Sequence, residues 1–349
     1  MAQRVSPYTP GEQPKIPNVI KLNTNENPYP PSPKAKEAIC EQDLNALRLY
    51  PDPASTELCE AIAKENGLES EQVFVGNGSD EVLALLFMAF FDEDIPVAMP
   101  DISYSFYPVY ARLYGFTAHQ IPLREDFTLH AEDYCDHEGG VIFANPNAPT
   151  GCAIPLSDIE TICRHSARVV VVDEAYVAFG AESARPLLDH YENLLIVRTL
   201  SKSHSLAGLR VGYALGHPKL IEGLERIKNS FNSYPLDRIA QAAAKAAIED
   251  TAYTRQCSDK IMATREKTTN KLKAMGFSVI PSQTNFVFCT HPKRSARDIQ
   301  QQLRNRSILV RHFDARRIDH YLRISVGTDC EMEALIQALE EILSSGTHL

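Results

Sequence analysis

The sequence predicts an α/β fold, with a mainly parallel sheet sandwiched by helices, followed by a smaller α+β unit. Three observations carry this prediction. Short, wholly apolar, β-branched runs alternate with amphipathic helical stretches from about residue 70 to 200, as strands buried on both faces do. Near residue 240 the alternation gives way to a long alanine-rich helix and then to closely spaced strands. Finally, the chain has 349 residues, 44% of them hydrophobic, enough to bury a large core and too apolar to stay disordered.

The elements follow in order. Residues 1–33 carry eight prolines and little periodicity, which predicts an extended arm that lies on another surface. Lys34 to Leu47 has apolar residues at helical spacing, and Ser55–Leu58 opens a second helix that Gly67 closes. Val73–Val75 is a short strand, Gly76–Gly78 a turn, and Ser79–Glu81 the cap of a helix through Phe91. Ile95–Met99, Val141–Ala144, Arg168–Val172 and Leu194–Thr199 read as strands, with helices at Tyr104–Leu113 and Ser157–His165 between them. Beyond Pro235 come helical residues from Ala240 to Met275, then strands at Phe277–Ile280 and Asn285–Cys289. A helix Ser295–Asn305, strands Ile308–Val310 and Tyr321–Val326, and a last helix from about Glu331 to Leu343 complete the chain. The expected organisation is an arm 1–33, a large domain 34–239 and a small domain 240–349.

The formal net charge of −10 argues against a general affinity for nucleic acid or anionic membrane, while leaving room for a local basic pocket. Eight scattered cysteines with no C-x-x-C pair read as thiols in a reducing cytosol, with no metal site among them. The polar, proline-rich start is not a signal peptide. The longest apolar run, Val82–Phe91, is far short of the ~20 residues a membrane span needs. A cytoplasmic protein is expected.

Four segments carry chemistry. Val169–Val172 leads into Asp173-Glu174-Ala175-Tyr176. An aspartate at the carboxyl end of an apolar strand sits where open α/β sheets bind ligands, and it is costly to ionise there without a cation. It could equally cap the following loop. Arg198-Thr199-Leu200-Ser201-Lys202 runs on to Gly208-Leu209-Arg210-Val211-Gly212-Tyr213. A desolvated lysine is a usable amine nucleophile that forms Schiff bases with carbonyls. Thr199, Ser201 and Arg210 are suited to a phosphate. An isolated Ser-Lys pair would mean nothing; the whole string does. Gly76-Asn77-Gly78-Ser79-Asp80-Glu81 offers free helix N-terminal amides to an anion, although Ser-Asp-Glu is also an ordinary cap. Asn145-Pro146-Asn147-Ala148-Pro149-Thr150-Gly151 follows a buried strand and alone is a tight turn.

Together, N-P-x-x-P-T-G, D-E-A-Y and S-K-x-x-x-L-A-G-L-R-x-G-Y resemble the fold-type I, pyridoxal-phosphate-dependent aminotransferases of class I/II. The flanks Leu22–Pro28, Arg48–Asp52 and Tyr321–Thr328 resemble the histidinol-phosphate aminotransferase branch, which extends the resemblance over nearly the whole chain.

The resemblance implies a role for each matching position. Lys202 would hold pyridoxal 5'-phosphate through its amine and shuttle the α-proton. Asp173 would pair with the ring nitrogen, Tyr176 would hydrogen-bond the phenolic oxygen and Tyr104 would stack on the ring. The phosphate cup would comprise Gly78, Ser79, Asp80, Thr199, Ser201 and Arg210, and Tyr50 would reach this phosphate, or the substrate, from the other subunit of a homodimer. Tyr8, Asn25, Arg311 and Arg323 would meet substrate, Arg323 at a carboxylate and Arg311 at a phosphate. The family's asparagine before P-T-G is Ala148 here, so either Asn147 takes its role or Tyr176 serves with little help. The implied reaction is transamination between L-histidinol phosphate and 2-oxoglutarate, giving imidazole-acetol phosphate and L-glutamate, in histidine biosynthesis. An aromatic-amino-acid aminotransferase and a threonine-phosphate decarboxylase are the rival enzymes. A binding protein without turnover is the rival from another class, and a Schiff-base lysine has no use there.

Overall fold

Alternation along each buried strand decides which helices it meets. In the computed structural model, which describes residues 11–13 and 17–344, Val170 and Val172 pack in one core and Val171 in another. Successive side chains of a strand point to opposite faces, so four consecutive valines need a helical layer on each side.

The chain supplies both layers. It begins with β1 (Ile20–Leu22), α1 (Pro33–Cys40) and α2 (Thr56–Asn66), then enters β2 (Val73–Asn77) and α3 (Gly78–Phe90). There follow β3 (Val97–Pro100), α4 (Phe106–Tyr114), β4 (Ala118–Ile121), β5 (Val141–Ala144), α5 (Leu156–His165), β6 (Val170–Asp173), β7 (Leu194–Thr199) and β8 (Val211–Gly216). These strands form a seven-stranded sheet in the order β2-β8-β7-β6-β5-β3-β4. It is parallel except at β8, which runs antiparallel to both its neighbours. One face packs on α2, α5 and α7 (Arg238–Ile248); the other packs on α3, α4 and α6 (Pro218–Phe231).

After α8 (Thr251–Ala274), a second sheet is built from β9 (Ser278–Ile280), β10 (Phe286–Thr290), β11 (Ile308–His312) and β12 (Leu322–Ser325), with α9 (Ala296–Asn305) and α10 (Asp329–Ser344) behind it. Its fifth strand is β1, which pairs parallel to β11 with Leu22 opposite Val310. Residues Ile20–Leu22 of the proline-rich stretch therefore lie on this sheet. Among the described residues no helix is long and apolar enough to cross a membrane.

Three differences from the sequence reading have physical causes. The helix expected over 34–47 stops at Cys40, and Asp43 then caps a separate 3-10 helix, Leu44–Arg48, by accepting from the Asn45 N–H at 2.9 Å. The stretch after Arg210, to which the sequence assigned no element, is the buried strand β8, whose glycines hide its strand character. Helix α6 opens at Pro218 with His217 as its N-cap, a combination that the sequence reading passed over.

Candidate active site

Ligand sites of open α/β sheets lie beyond the carboxyl ends of the strands, and there β5, β6 and β7 deliver the predicted segments. Asp173 ends β6 and is 4% exposed. Its carboxylate accepts from Tyr107 Oη at 2.8 Å and from the Ala175 N–H at 3.1 Å. Burial pushes Asp173 up to about 6, with Asp80 and Glu174 adding to the effect and the Tyr107 and Ala175 donors opposing it. The adjacent Glu174, 1% exposed, has its own cation: Arg198 Nε donates to it at 2.9 Å, supported by Ser183 at 3.0 Å. No cation pairs with Asp173 among the described residues. Two neighbouring buried carboxylates are thus provided for differently, and Asp173 is the one left for a positively charged visitor.

Lys202 follows β7 and is half-buried, with Nζ donating to the Thr24 carbonyl at 3.1 Å. Burial above all, with Arg323 and Arg210 acting the same way and Glu26 and Asp80 opposing, lowers its pKa to about 8. An amine in that range is partly neutral near physiological pH, as a nucleophile must be. Tyr176 is buried, edge-on to the Phe286 ring at 5.2 Å, and its hydroxyl accepts from Asn25 Nδ2 at 2.9 Å.

The glycine turn and Arg210 meet. Gly78 starts α3 at φ +82°, and a Cβ there would fall 2.5 Å from Arg210 Nη2. At Gly212 a Cβ would overlap the backbone of Gly78 and Ser79, so only glycine lets β8 lie against this helix end. Arg210 pairs with Asp80 at 2.8 Å, Tyr104 Oη donates to the same carboxylate at 2.7 Å, and Tyr110 Oη reaches the Asp80 carbonyl at 2.9 Å. The Thr199 hydroxyl accepts from the Ser201 N–H at 3.1 Å, which folds the loop that carries Lys202.

The arm motif contributes more than was read from it. Asn25, in the left-handed region at φ 55° and 1% exposed, exchanges hydrogen bonds with Ser325 and receives Asn285 Nδ2 at its carbonyl at 2.9 Å. Asn27 Nδ2 donates to the carbonyls of Lys202 at 2.9 Å and Ser203 at 3.2 Å. Arg323 donates to the Asn23 carbonyl at 3.0 Å and lies over the rings of Phe286 and Phe313. Arg311 faces Arg323 across the β11–β12 ladder and shares Phe313.

Other predicted positions lie differently. Asn147 is buried and its amide is engaged locally, with the Ile102 carbonyl at 3.0 Å, Thr150 at 2.9 Å and Ser103 at 2.7 Å. Tyr50 is 78% exposed, stacked on Tyr234 at 4.6 Å and away from Lys202's hydrogen-bond network. Tyr8 lies outside the described residues. Sequence reasoning missed Tyr107, Thr24, Glu26 and Asn27. The density of polar residues in Asn23-Thr24-Asn25-Glu26-Asn27, beside a proline, was the available signal for the last three.

The chain is similar to known proteins over nearly its whole length. Residues 17–339 match the family model for aminotransferase class I and II. Histidinol-phosphate aminotransferase 1 of Bordetella parapertussis is 59% identical over 98% of this chain and 97% of its own length. Histidinol-phosphate aminotransferase 2 of Dechloromonas aromatica is 57% identical over 97% and 96%. Among solved structures, the histidinol-phosphate aminotransferase of Sinorhizobium meliloti in complex with pyridoxal-5'-phosphate superposes with a TM-score of 0.86 at 26% identity, covering 94% of this chain and 91% of that one. With motifs, fold and relatives in agreement over nearly its whole length, the chain belongs to the class I and II aminotransferases.

Proposed function

We propose that this protein is a pyridoxal-phosphate-dependent aminotransferase that interconverts L-histidinol phosphate and 2-oxoglutarate with imidazole-acetol phosphate and L-glutamate, a step of histidine biosynthesis. The observation that carries the reading is the presence, beyond the ends of adjacent strands, of a half-buried lysine of lowered proton affinity and a buried carboxylate that lacks a cation. Relatives named for this activity at 53–59% identity support the choice of substrates.

The residues present fit the cofactor. Asp173 is a socket for a protonated ring nitrogen. The amides of Gly78, Ser79 and Asp80, the hydroxyls of Thr199 and Ser201, and Arg210 suit its phosphate. Tyr104 and Tyr176 supply an aromatic face and a phenol, and Lys202 the amine that would carry it. Bound here, the cofactor supplies an aldehyde carbon that accepts an amino group and a ring that takes up an electron pair.

The chain's own groups do the rest. Lys202 Nζ, when neutral, removes the proton from the substrate α-carbon and returns it elsewhere. Asp173 would accept a hydrogen bond from the cofactor's protonated ring nitrogen, whose positive charge would favour the ionised carboxylate. Tyr107, itself kept protonated by burial and by Asp173, orients that carboxylate. Arg323 receives the carboxylate of glutamate, and Arg311 the phosphate of the other substrate. Because one site serves both substrates in turn, the kinetics are ping-pong. Glutamate surrenders its amino group and leaves as 2-oxoglutarate before imidazole-acetol phosphate takes the group up.

Homodimerisation belongs to the same reading. Tyr50, Leu44, Leu47, Leu49, Phe231 and Tyr234 are large exposed hydrophobics, a surface suited to a second copy, from which Tyr50 would reach the partner's site. We also read the chain as arm, large domain and small domain with divisions near 34 and 240, and as cytoplasmic, in keeping with its eight free cysteines.

The test is a spectrophotometric half-reaction. Histidinol phosphate should bleach the absorbance of the bound cofactor at far lower concentration than phenylalanine, tyrosine or threonine phosphate. A preference for any of the other three would replace the substrate assignment.

A further inference from the structure

The connection between α6 and α7 holds the segment that carries Tyr50. Two prolines make Tyr50-Pro51-Asp52-Pro53 an extended stretch, because each fixes its own φ, lacks an N–H and pushes the residue before it out of the helical region. The carbonyls of Tyr50, Asp52 and Pro53 are taken by long side chains instead of a strand or helix ladder. Arg238, the first residue of α7, donates from Nη2 to the Tyr50 carbonyl at 3.3 Å. One turn on, Gln241 Nε2 donates to the Asp52 carbonyl at 3.0 Å. Lys228, in the last turn of α6 and buried, donates to the Pro53 carbonyl at 3.0 Å. Tyr234, between the two helices, stacks on the Tyr50 ring with centroids 4.6 Å apart. The Asp52 carboxylate accepts from the Ala54 N–H at 3.0 Å and the Thr56 N–H at 2.7 Å, which ties the far end to the start of α2.

We propose that Lys228, Tyr234, Arg238 and Gln241 are positioning residues that set Tyr50 in advance for the site of the partner subunit. Ordering a largely exposed ring costs conformational entropy and buries little, so the chain's own fold gains little from this cradle. A site completed by a second copy does gain, because a group already held in place loses less freedom when it docks. The polar contacts fix the backbone on both sides of Tyr50, and the stack fixes the direction of its ring. The proposal rests on the reading that Tyr50 serves the partner's site. It places the source of that precision in residues that need not touch cofactor or substrate themselves.

The experiment uses the full-length holoenzyme with the single variants Lys228→Met, Tyr234→Ala, Arg238→Met and Gln241→Ala, and Tyr50→Ala beside them. Each cradle variant should lower transamination about threefold to tenfold, the span of one lost aromatic pair or hydrogen bond, and Tyr234→Phe should keep the unaltered rate. The decisive arm refolds each variant with an excess of Lys202→Ala chain. In such a hybrid the intact Lys202 belongs to the variant subunit, while the Tyr50 it receives comes from a subunit whose cradle is whole. Activity per intact Lys202 should therefore return to nearly that of the unaltered enzyme, which a fault in the variant's own fold would not allow. Unimpaired variants, or a defect that persists in hybrids while Tyr50→Ala is rescued, would overturn the proposal. Tyr234, Arg238 and Gln241 are not buried, so their variants report even if Lys228→Met does not fold. If Tyr50→Ala is itself not rescued, the reading of Tyr50 fails, and a further measurement still decides whether the connection holds the segment. The chain has no tryptophan, so Tyr50→Trp introduces a single fluorophore whose anisotropy should fall when Tyr234→Ala or Gln241→Ala is added; an unchanged anisotropy would remove the cradle.

Discussion

Lys202 Nζ donates to the carbonyl oxygen of Thr24 at 3.1 Å, although the two residues stand 178 positions apart. The contact joins the arm, through β1, to the loop after β7, and it places the candidate nucleophile beside Glu26, whose carboxylate accepts from the Thr24 hydroxyl at 2.8 Å. The charges acting on Lys202 are then Arg323 and Arg210 on one side and Glu26 and Asp80 on the other.

Altering that balance should move the amine's titration. Lys202 is held at about 8, so below that pH it is mostly protonated and unreactive. Glu26→Gln removes a charge that favours the proton, and the midpoint should fall by about half a unit. Arg323→Gln should raise it. The pH dependence of the rate at which the cofactor-free enzyme recombines with pyridoxal phosphate measures both shifts, and two unmoved midpoints would reject the electrostatic account.

Asp173→Asn should separate stability from activity. The carboxyl's folded pKa of about 6 lies above its ordinary value. Ionisation therefore costs the cofactor-free fold increasingly as pH rises through 6, and nothing below the unfolded value. The variant should be more stable than the unaltered chain by on the order of 2 kcal/mol at pH 8, with a smaller gain at pH 5. Thermal melts of the cofactor-free proteins at the two pH values report this. Transamination by the same variant should drop by roughly a hundredfold to a thousandfold, because the charge facing the ring is gone.

Gly212→Ala tests the close approach of β8 to the start of α3. The added methyl would overlap backbone atoms of Gly78 and Ser79, which cannot rotate away as a side chain can. A loss of about 1–3 kcal/mol is expected, together with weaker cofactor retention on dialysis. A variant with unaltered melting and full cofactor content would show that the helix start does not depend on this glycine.

Mixing two impaired proteins tests the shared site. Lys202→Ala should be at least about a thousandfold less active, and Tyr50→Ala should be impaired because its partner's site is incomplete. Hybrids contain one site with both residues intact, so a refolded mixture should exceed the mean of the two parents. Activity at that mean, or an active monomer in sedimentation, would remove Tyr50 from the partner's site.

Much of the site could be read from the chain because its local patterns are self-sufficient. A run such as Val169–Val172 can only be a strand buried on both faces, so the carboxyl end that carries Asp173 follows from it. Gly76–Glu81 likewise marks a helix start whichever neighbours it meets. The strand β8 was hidden because Gly212 and Gly216 dilute its apolar pattern, and the reason for Gly212 is the backbone of Gly78 and Ser79 packed against it.

The sequence alone determined the sandwiched sheet, the family, and the presence of a lysine, a carboxylate and an arginine suited to a phosphorylated aldehyde, since each depends on residues close together in the chain. Only the tertiary structure decided which carboxylate lacks a cation. Glu174 meets Arg198 and Asp173 meets Tyr107, and nothing in Asp-Glu distinguishes them until β7 and α4 are in place. It also decided that Asn25 joins Tyr176 to Ser325. Contacts across 151 and 300 positions are set by how sheets and helices bury their apolar faces, and that burial is a property of the packed whole.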